Sequence, residues 1–428
     1  MTDKAALLTN IAKSGLCSGC GLCASAAPSA QAEMTYVASG FLRPMQNAPL
    51  SDADAAMVSE CCPGLRVTKP AAPAGGIAHP VWGGVGFCGV GWSANADERR
   101  YGSSGGALTA VLRYLLESGK ATFIAHVSAA KETPTRNQLL ISRSAPDVLS
   151  GAGSRYGPTA PLANIRALLA LGEPFAFVGK PCDVAALRAY ARHDARVDTL
   201  VIAMVSFFCG GVPSERGTQN ILVRMGLADA PLKSFRYRGD GWPGRARAET
   251  IDGAVQELSY QETWGAILSR HVQFRCKICV DSVGEAADLV FADAWFGSDD
   301  GYPLFEERDG RSLIVTRNER GQALLDDVTT AGALYVDPID LSEVDRMQPY
   351  QARRKSAIGW RILALRMLGR SAPRYPGFTL PRLMVRGNIA RNLKNFAGTV
   401  RRLVWRGEAR ESLEVVSDRK DVWRSAEG

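Results

Sequence analysis

The sequence predicts an α/β body with a small cysteine-rich module at its N-terminal end and a basic, mostly helical tail at its C-terminal end. Three observations predict it. Apolar runs of strand length alternate with helical patterns from about residue 81 to 345, all ten cysteines lie between Cys17 and Cys279, and basic residues accumulate after residue 350.

A chain of 428 residues suffices for two or three units with sizeable cores. Its 46% hydrophobic and 22% charged content is ordinary for a soluble globular protein. The opening Met1–Cys17 stretch lacks the apolar core of a signal peptide, and no run approaches the roughly 20 apolar residues of a membrane span. The expectation is a cytoplasmic protein. In a reducing cytosol cysteines are seldom paired, so ten of them call for metal or cluster ligation.

The first unit, residues 1–70, closes on Cys61-Cys62-Pro63-Gly64. It contains Cys17-x-x-Cys20-x-x-Cys23, a spacing that lets three thiolates hold three corners of a 4Fe–4S cubane, as in bacterial ferredoxins. Ser18, Gly19 and Gly21 are small enough for backbone amides to approach the sulfurs. The ferredoxin position for a fourth cysteine is Ala27, although Pro28 follows it. The fourth ligand is therefore expected from further along the chain: Cys62, itself followed by Pro63, with Cys61 as the competitor. The alternative is tetrahedral zinc, which four such thiolates also serve.

Residues 71–80, within a segment rich in Pro, Gly and Ala, read as a linker. In the body, Phe175–Gly179 and Leu200–Phe207 read as buried strands, and Ala107–Glu117 and Val184–Arg192 as helices. Cys182 and Cys209 follow strand-like runs, where α/β sheets collect functional groups. With Cys276-x-x-Cys279 they make four thiolates, enough for a second cubane; the bland reading of the isolated pair is small buried residues. Cys88 has no partner pattern.

Ser103-Ser104-Gly105-Gly106, with Thr109, forms a Gly/Ser turn feeding a helix, an arrangement suited to a cofactor phosphate and equally to a plain helix cap. Arg155, Tyr156 and Lys180 add basic and close-approach groups. Asp293, with Trp295 at the end of Ala287–Phe291, is read as pocket lining or a strand-end turn residue. No His or carboxylate stands out as a proton donor, so the catalytic residues are left unassigned. His126 and His193 are read as structural or exposed.

The tail, residues 346–428, has Arg spaced among Leu, Met, Val and Trp, which predicts basic amphipathic helices. Residues 351–428 hold 18 Lys/Arg against 6 Asp/Glu, so the first 350 are slightly acidic. The bland reading is a solvated helical face on the body; the alternative is docking to an acidic partner or an anionic membrane surface. Nucleic-acid binding is not expected.

Taken together, these motifs resemble the beta-subunit family of the coenzyme F-420 hydrogenases and dehydrogenases, which also includes ferredoxin-dependent reductases of chlorophyll intermediates. The resemblance spans roughly residues 13–345 and rests on the Cys17 triple, Ser-Ser-Gly-Gly with Thr109, Gly-Ser-Arg-Tyr156, Val-Gly-Lys-Pro-Cys182, Phe-Phe-Cys209, Cys276-x-x-Cys279, and Asp288 with Asp293-Ala-Trp295. It implies an FAD-binding body with 81–165 and 166–345 as its two parts. One 4Fe–4S cluster would be held by Cys182, Cys209, Cys276 and Cys279, and flavin contacts would come from Ser103–Gly106, Thr109, Arg155, Tyr156 and Lys180. The N-terminal triple resembles the ferredoxin-like module of longer members. The implied activity is an oxidoreductase passing electrons between a ferredoxin-like carrier and FAD, with an organic substrate or the deazaflavin coenzyme at the other end. The competing readings are a non-catalytic electron-transfer subunit of a larger complex and a zinc-stabilised binding module.

Overall fold

A computed structural model describes residues 3–297, 304–385 and 388–416. Its centre is an eight-stranded mixed sheet. From one edge to the other the strands are Leu334–Pro338, Cys88–Ser93, Ser312–Thr316, Leu289–Asp293, Val201–Phe207, Phe175–Val178, Phe123–Ala129 and Asn137–Ser142. The four strands from Leu289–Asp293 to Phe123–Ala129 run parallel, and antiparallel partners flank them on both sides.

Parallel strands are covered on both faces, so they read as continuous apolar runs. Phe175–Val178 is buried throughout. Alternate residues feed different cores: Phe175, Phe177 and Met204 belong to one cluster, Ala176, Val178, Ala203 and Val205 to another. The expected helix Ala107–Glu117 is found with those bounds. The other runs Pro181–Tyr190, three residues ahead of expectation, because Pro181 occupies the first turn, where its missing N–H costs nothing.

The N-terminal unit holds helices Leu7–Lys13 and Asp52–Cys61 and the hairpin of Glu33–Tyr36 with Leu42–Met45. It is less separate than its composition suggests, since its apolar residues join the core cluster that contains Phe175 and Phe177. Leu162 N donates to Cys20 O at 3.0 Å. Gly21, at φ +84°, sits where a Cβ would lie 2.9 Å from Ala163 N, so a side chain there would separate the two units. Within the expected linker, Ile77–His79 forms a short strand against Gly83–Val85. A three-stranded sheet of Leu232–Arg236, Ala246–Thr250 and Val255–Leu258 has its own small core around Phe235 and Tyr237.

The tail is helical, as expected, with helices Pro349–Ser356, Ile358–Met367, Leu380–Val385 and Ile389–Trp405. Its last part, 417–428, lies outside the described residues. No described helix is long and apolar enough to cross a membrane.

Candidate functional site

The carboxyl ends of the parallel strands deliver Asp293, Cys209 and, through the turn into helix Pro181–Tyr190, Lys180 and Cys182. Asp293, Cys209 and Lys180 border a cavity of about 680 Å³. Ser103, Ser104, Gly106, Thr109, Arg155, Tyr156, Lys180 and Asp293, all singled out from the sequence, line it. Gly105 lies behind the lining, where its N–H donates to Ser312 Oγ at 2.9 Å. Gly106 turns the chain at φ +70°, and a Cβ there would lie 2.3 Å from Glu98 O. The 11-residue helix Ala107–Glu117 thus begins at the cavity, and its first turn presents Ala107, Leu108 and Thr109 to it.

One lining group, Ser103 Oγ, is buried without a hydrogen-bond partner, and a second, Lys180 Nζ, is a buried cation paired with Asp183. The ammonium lies 2.7 Å from Asp183 Oδ2, with the thiols of Cys182 and Cys209 also raising its pKa. Unmet polar capacity at the wall of a roomy cavity fits a ligand with phosphate or hydroxyl oxygens. Arg155 spends its donors otherwise: Asn137 Oδ1 at 2.8 Å and the carbonyls of Phe235, Pro134 and Arg136. It shapes the wall rather than reaching into the space.

Asp293 is held by a residue that sequence reasoning missed. Arg238 Nη1 and Nη2 donate to its two carboxylate oxygens at 3.0 and 2.8 Å, and Trp242 Nε1 donates at 2.8 Å. Burial opposes the Arg238 charge, but Asp293 and the phenols of Tyr156 and Tyr260 raise its pKa well above the ordinary range. The signal was the glycine-rich run from Arg238 to Gly244, which brings the backbone close to the site. Trp242 and Trp295 stack at 4.8 Å, so aromatic rings cover this end of the cavity. His126 lines the opposite part; its Nε2 is 2.7 Å from Ser142 Oγ, and burial lowers its pKa to about 4. His193 pairs with Glu60 at the surface.

The cysteines gather as two sets. Cys17, Cys20, Cys23, Cys61 and Cys62 line one small pocket under the N-terminal helices. Within it the two candidates for fourth place differ. Burial first, then the Cys17 thiol, pushes Cys62 up to about 11, while the N–H groups of Gly64 and Leu65 pull it down. Cys62 in turn raises Cys20 and Cys23. Cys61, pushed up to about 12 chiefly by burial, has Arg192, Glu60 and Cys62 as its charged neighbours and none of the triple. Cys62 thus has a thiol of the triple among its charged neighbours and Cys61 does not, although both line the pocket.

In the second set, Cys182, Cys209, Cys276 and Cys279 converge from two strand ends and the short helix Phe274–Lys277. Burial pushes Cys209 up to about 12, with Cys276 adding to it and Arg354 opposing. Val212 N donates to Cys276 Sγ at 3.4 Å. Cys209 also lines the large cavity, so this set adjoins it. Cys88 stands apart, buried on its strand.

Among the described residues no three His, Cys, Asp or Glu meet the spacing of ligands around a single ion. In a cubane each thiolate binds its own iron, so the fit rests on the donor chemistry and its surroundings. Four sulfurs with buried guanidiniums beside them suit an anionic cluster. The charge of Arg275 is supported by Cys279, Cys182 and Cys276, and its Nη1 is buried with no hydrogen-bond partner. Arg354 is supported by Cys279, Cys276 and Cys209, and Arg43 lies next to Cys17. Arg354 comes from the tail, which the motifs did not connect with this site.

An eight-stranded mixed sheet with a cavity and cysteines at its strand ends defines the class, an α/β fold. Comparison gives the family. Residues 88–166 match the N-terminal model, and residues 172–342 the C-terminal model, of the coenzyme F-420 hydrogenase/dehydrogenase beta subunit. The chain belongs to that family. It is 25% identical to the coenzyme F-420 hydrogenase subunit beta of Methanococcus voltae, over 66% of this chain and 96% of that one. It is 24% identical to the coenzyme F-420-dependent sulfite reductase of Methanocaldococcus jannaschii, over 59% of this chain but 38% of that protein's length. A chain in the F-420-reducing nickel–iron hydrogenase complex of Methanosarcina barkeri shares the fold, with a TM-score of 0.52, 20% identity, and coverage of 70% of this chain and 98% of that one.

Proposed function

We propose that the chain is an iron–sulfur flavoprotein oxidoreductase that passes electrons between a ferredoxin-like one-electron carrier and an FAD in the large cavity. The observation that carries this reading is the adjacency of the second thiol set to the cavity, through Cys209. In the proposal Cys17, Cys20, Cys23 and Cys62 hold one 4Fe–4S cluster, and Cys182, Cys209, Cys276 and Cys279 hold another. Bound there, the clusters supply one-electron steps and the flavin supplies the exchange between single electrons and a hydride.

The chain's own groups prepare for this. Ser103, Ser104, Gly105, Gly106 and Thr109 form the helix-start turn that would take the flavin phosphates. Lys180 places a buried cation between the cavity and Cys182 and Cys209. Arg155 and Tyr156 shape the wall, while Asp293, fixed by Arg238, orients the aromatic end where an organic substrate or a deazaflavin would lie. Tyr260, whose phenol burial keeps protonated, holds a proton at its Oη beside that end.

The test is anaerobic purification followed by metal and flavin analysis. About eight irons and one FAD per chain, with broad absorption near 400 nm, are expected. Zinc without iron or flavin would replace this reading with that of a zinc-stabilised module. A second reading, an electron-transfer subunit docked to a larger enzyme, is favoured by one observation: the similar fold occurs in a hydrogenase complex. Turnover of the isolated chain with reduced ferredoxin separates the two.

A further inference from the structure

The tail lies beyond the family match, which ends at residue 342. Between Leu380 and Gly407 its sequence has seven Lys/Arg and no Asp or Glu. A surface helix on a globular body ordinarily turns its apolar stripe inward and its polar side to water. Helix Ile389–Trp405 is rotated away from that arrangement. Its buried residues are Asn392, Thr399 and Leu403, which the spacing places on one line along the helix. That line makes polar contacts with the neighbouring tail helices: Asn392 Nδ2 donates to Met384 O at 3.4 Å, and Arg361 Nη2 donates to the adjoining Asn395 Oδ1 at 2.8 Å.

The neighbouring line is apolar and faces out. Ile389, Leu393 and Val404 are 62%, 50% and 57% exposed, and Trp405 is 76% exposed. Lys394 and Arg401 flank them, also exposed, and the Arg401 guanidinium lies 6.0 Å from the Trp405 ring. The rest of the molecule does not look like this. Of the eighteen large apolar side chains exposed among the described residues, eight fall between Leu363 and Trp405. Exposed apolar residues concentrated in this way mark a contact surface.

We propose that this face docks on an anionic phospholipid membrane, lying in the headgroup plane without crossing it. A line of large apolar side chains, cations along its edge and an indole at one end are what an interfacial helix uses. The absence of acidic residues removes the repulsion that an anionic surface would otherwise meet. A second copy of the chain is a poor occupant, because it would bring seven cations against seven. An acidic polypeptide would answer the charge, but it offers no continuous apolar phase for the exposed line. This inference does not depend on which cofactors the body holds.

The test uses the full-length protein as purified, co-sedimented with vesicles of phosphatidylcholine alone or with about 30% phosphatidylglycerol. Binding to the anionic vesicles is expected to be at least about tenfold stronger and to fall as salt shortens the screening length. Leu393→Glu with Val404→Glu should weaken it about tenfold even at low salt, because the apolar line no longer inserts. Both positions are exposed, so circular dichroism and melting should match the parent. Quenching of tryptophan by brominated lipid should drop in Trp405→Phe. Equal binding to both vesicles, or undiminished binding by the double variant, overturns the proposal. Binding to polyglutamate but not to anionic vesicles also overturns it and assigns the face to an acidic protein.

Discussion

Gln273 Nε2 donates to Cys276 Sγ at 3.4 Å and to Ser18 O at 3.2 Å, so a single buried amide spans the second thiol set and the loop of the first. Arg43 Nη2 fixes the other end of that amide by donating to Gln273 Oε1 at 3.1 Å, and Arg43 Nε pairs with Glu411 at 2.9 Å. The tail therefore reaches the junction between the two sets. A hydrogen bond to a cluster sulfur raises its reduction potential. Gln273→Met should lower the potential of the cluster proposed for the second thiol set. A bond worth about 1 kcal/mol corresponds to roughly 40 mV for one electron. Redox titration followed by electron paramagnetic resonance measures this, and an unchanged potential would remove Gln273 from the proposed path.

Substituting the adjacent cysteines singly tests the ligand assignment. Cys62→Ser should lose about half of the bound iron and Cys61→Ser should lose little, since only Cys62 has the triple among its charged neighbours. Iron analysis of the two anaerobically purified variants decides it, and the reverse pattern would transfer the ligand role to Cys61.

Arg238, buried, and Asp293, partly exposed toward the cavity, form an ion pair whose halves depend on each other. Arg238→Met leaves the carboxylate facing the cavity with the neutral indole N–H of Trp242 as its remaining side-chain donor. The cost should be about 3 kcal/mol or more, whereas Arg238→Met with Asp293→Asn should cost clearly less. Urea denaturation of both single variants and the double variant gives the coupling energy. Additive effects would mean that the pair is not coupled.

His126 makes stability depend on acid. Burial lowers its folded pKa to about 4 from an ordinary value near 6.5. Between those values the unfolded chain binds the proton and the folded one does not, so the stabilisation is full above about pH 6.5 and is lost as pH falls toward 4. The loss should be on the order of 3 kcal/mol. His126→Gln, which keeps a donor for Ser142 Oγ, should flatten that slope in denaturation measured at pH 7 and pH 4.5. A slope equal to the parent's would place the acid sensitivity elsewhere.

Much of the site was legible because its chemistry is local in the chain. The Cys17 triple, the Ser103–Gly106 turn and Cys276-x-x-Cys279 depend on spacing within one loop or helix start, and continuous apolar runs located the strands whose ends carry Cys182, Cys209 and Asp293. Arg238, Gln273, Arg43 and Arg354 were not legible as site residues. Each acts across a long stretch of chain: Arg238 on Asp293, Gln273 on Ser18, Arg43 on Glu411, Arg354 on Cys209. No periodicity or motif encodes such pairs.

The sequence by itself determined the fold class, the family and the two groups of cysteines, since these follow from hydrophobic period, turn chemistry and thiol spacing. Only the tertiary structure showed that Cys62 has a thiol of the triple among its charged neighbours while Cys61 does not, which arginines surround the sulfurs, and which way the tail helix is turned. Those outcomes depend on packing between segments far apart in the chain. There, burial removes water as a hydrogen-bond partner and each buried charge must find its complement wherever the fold brings one.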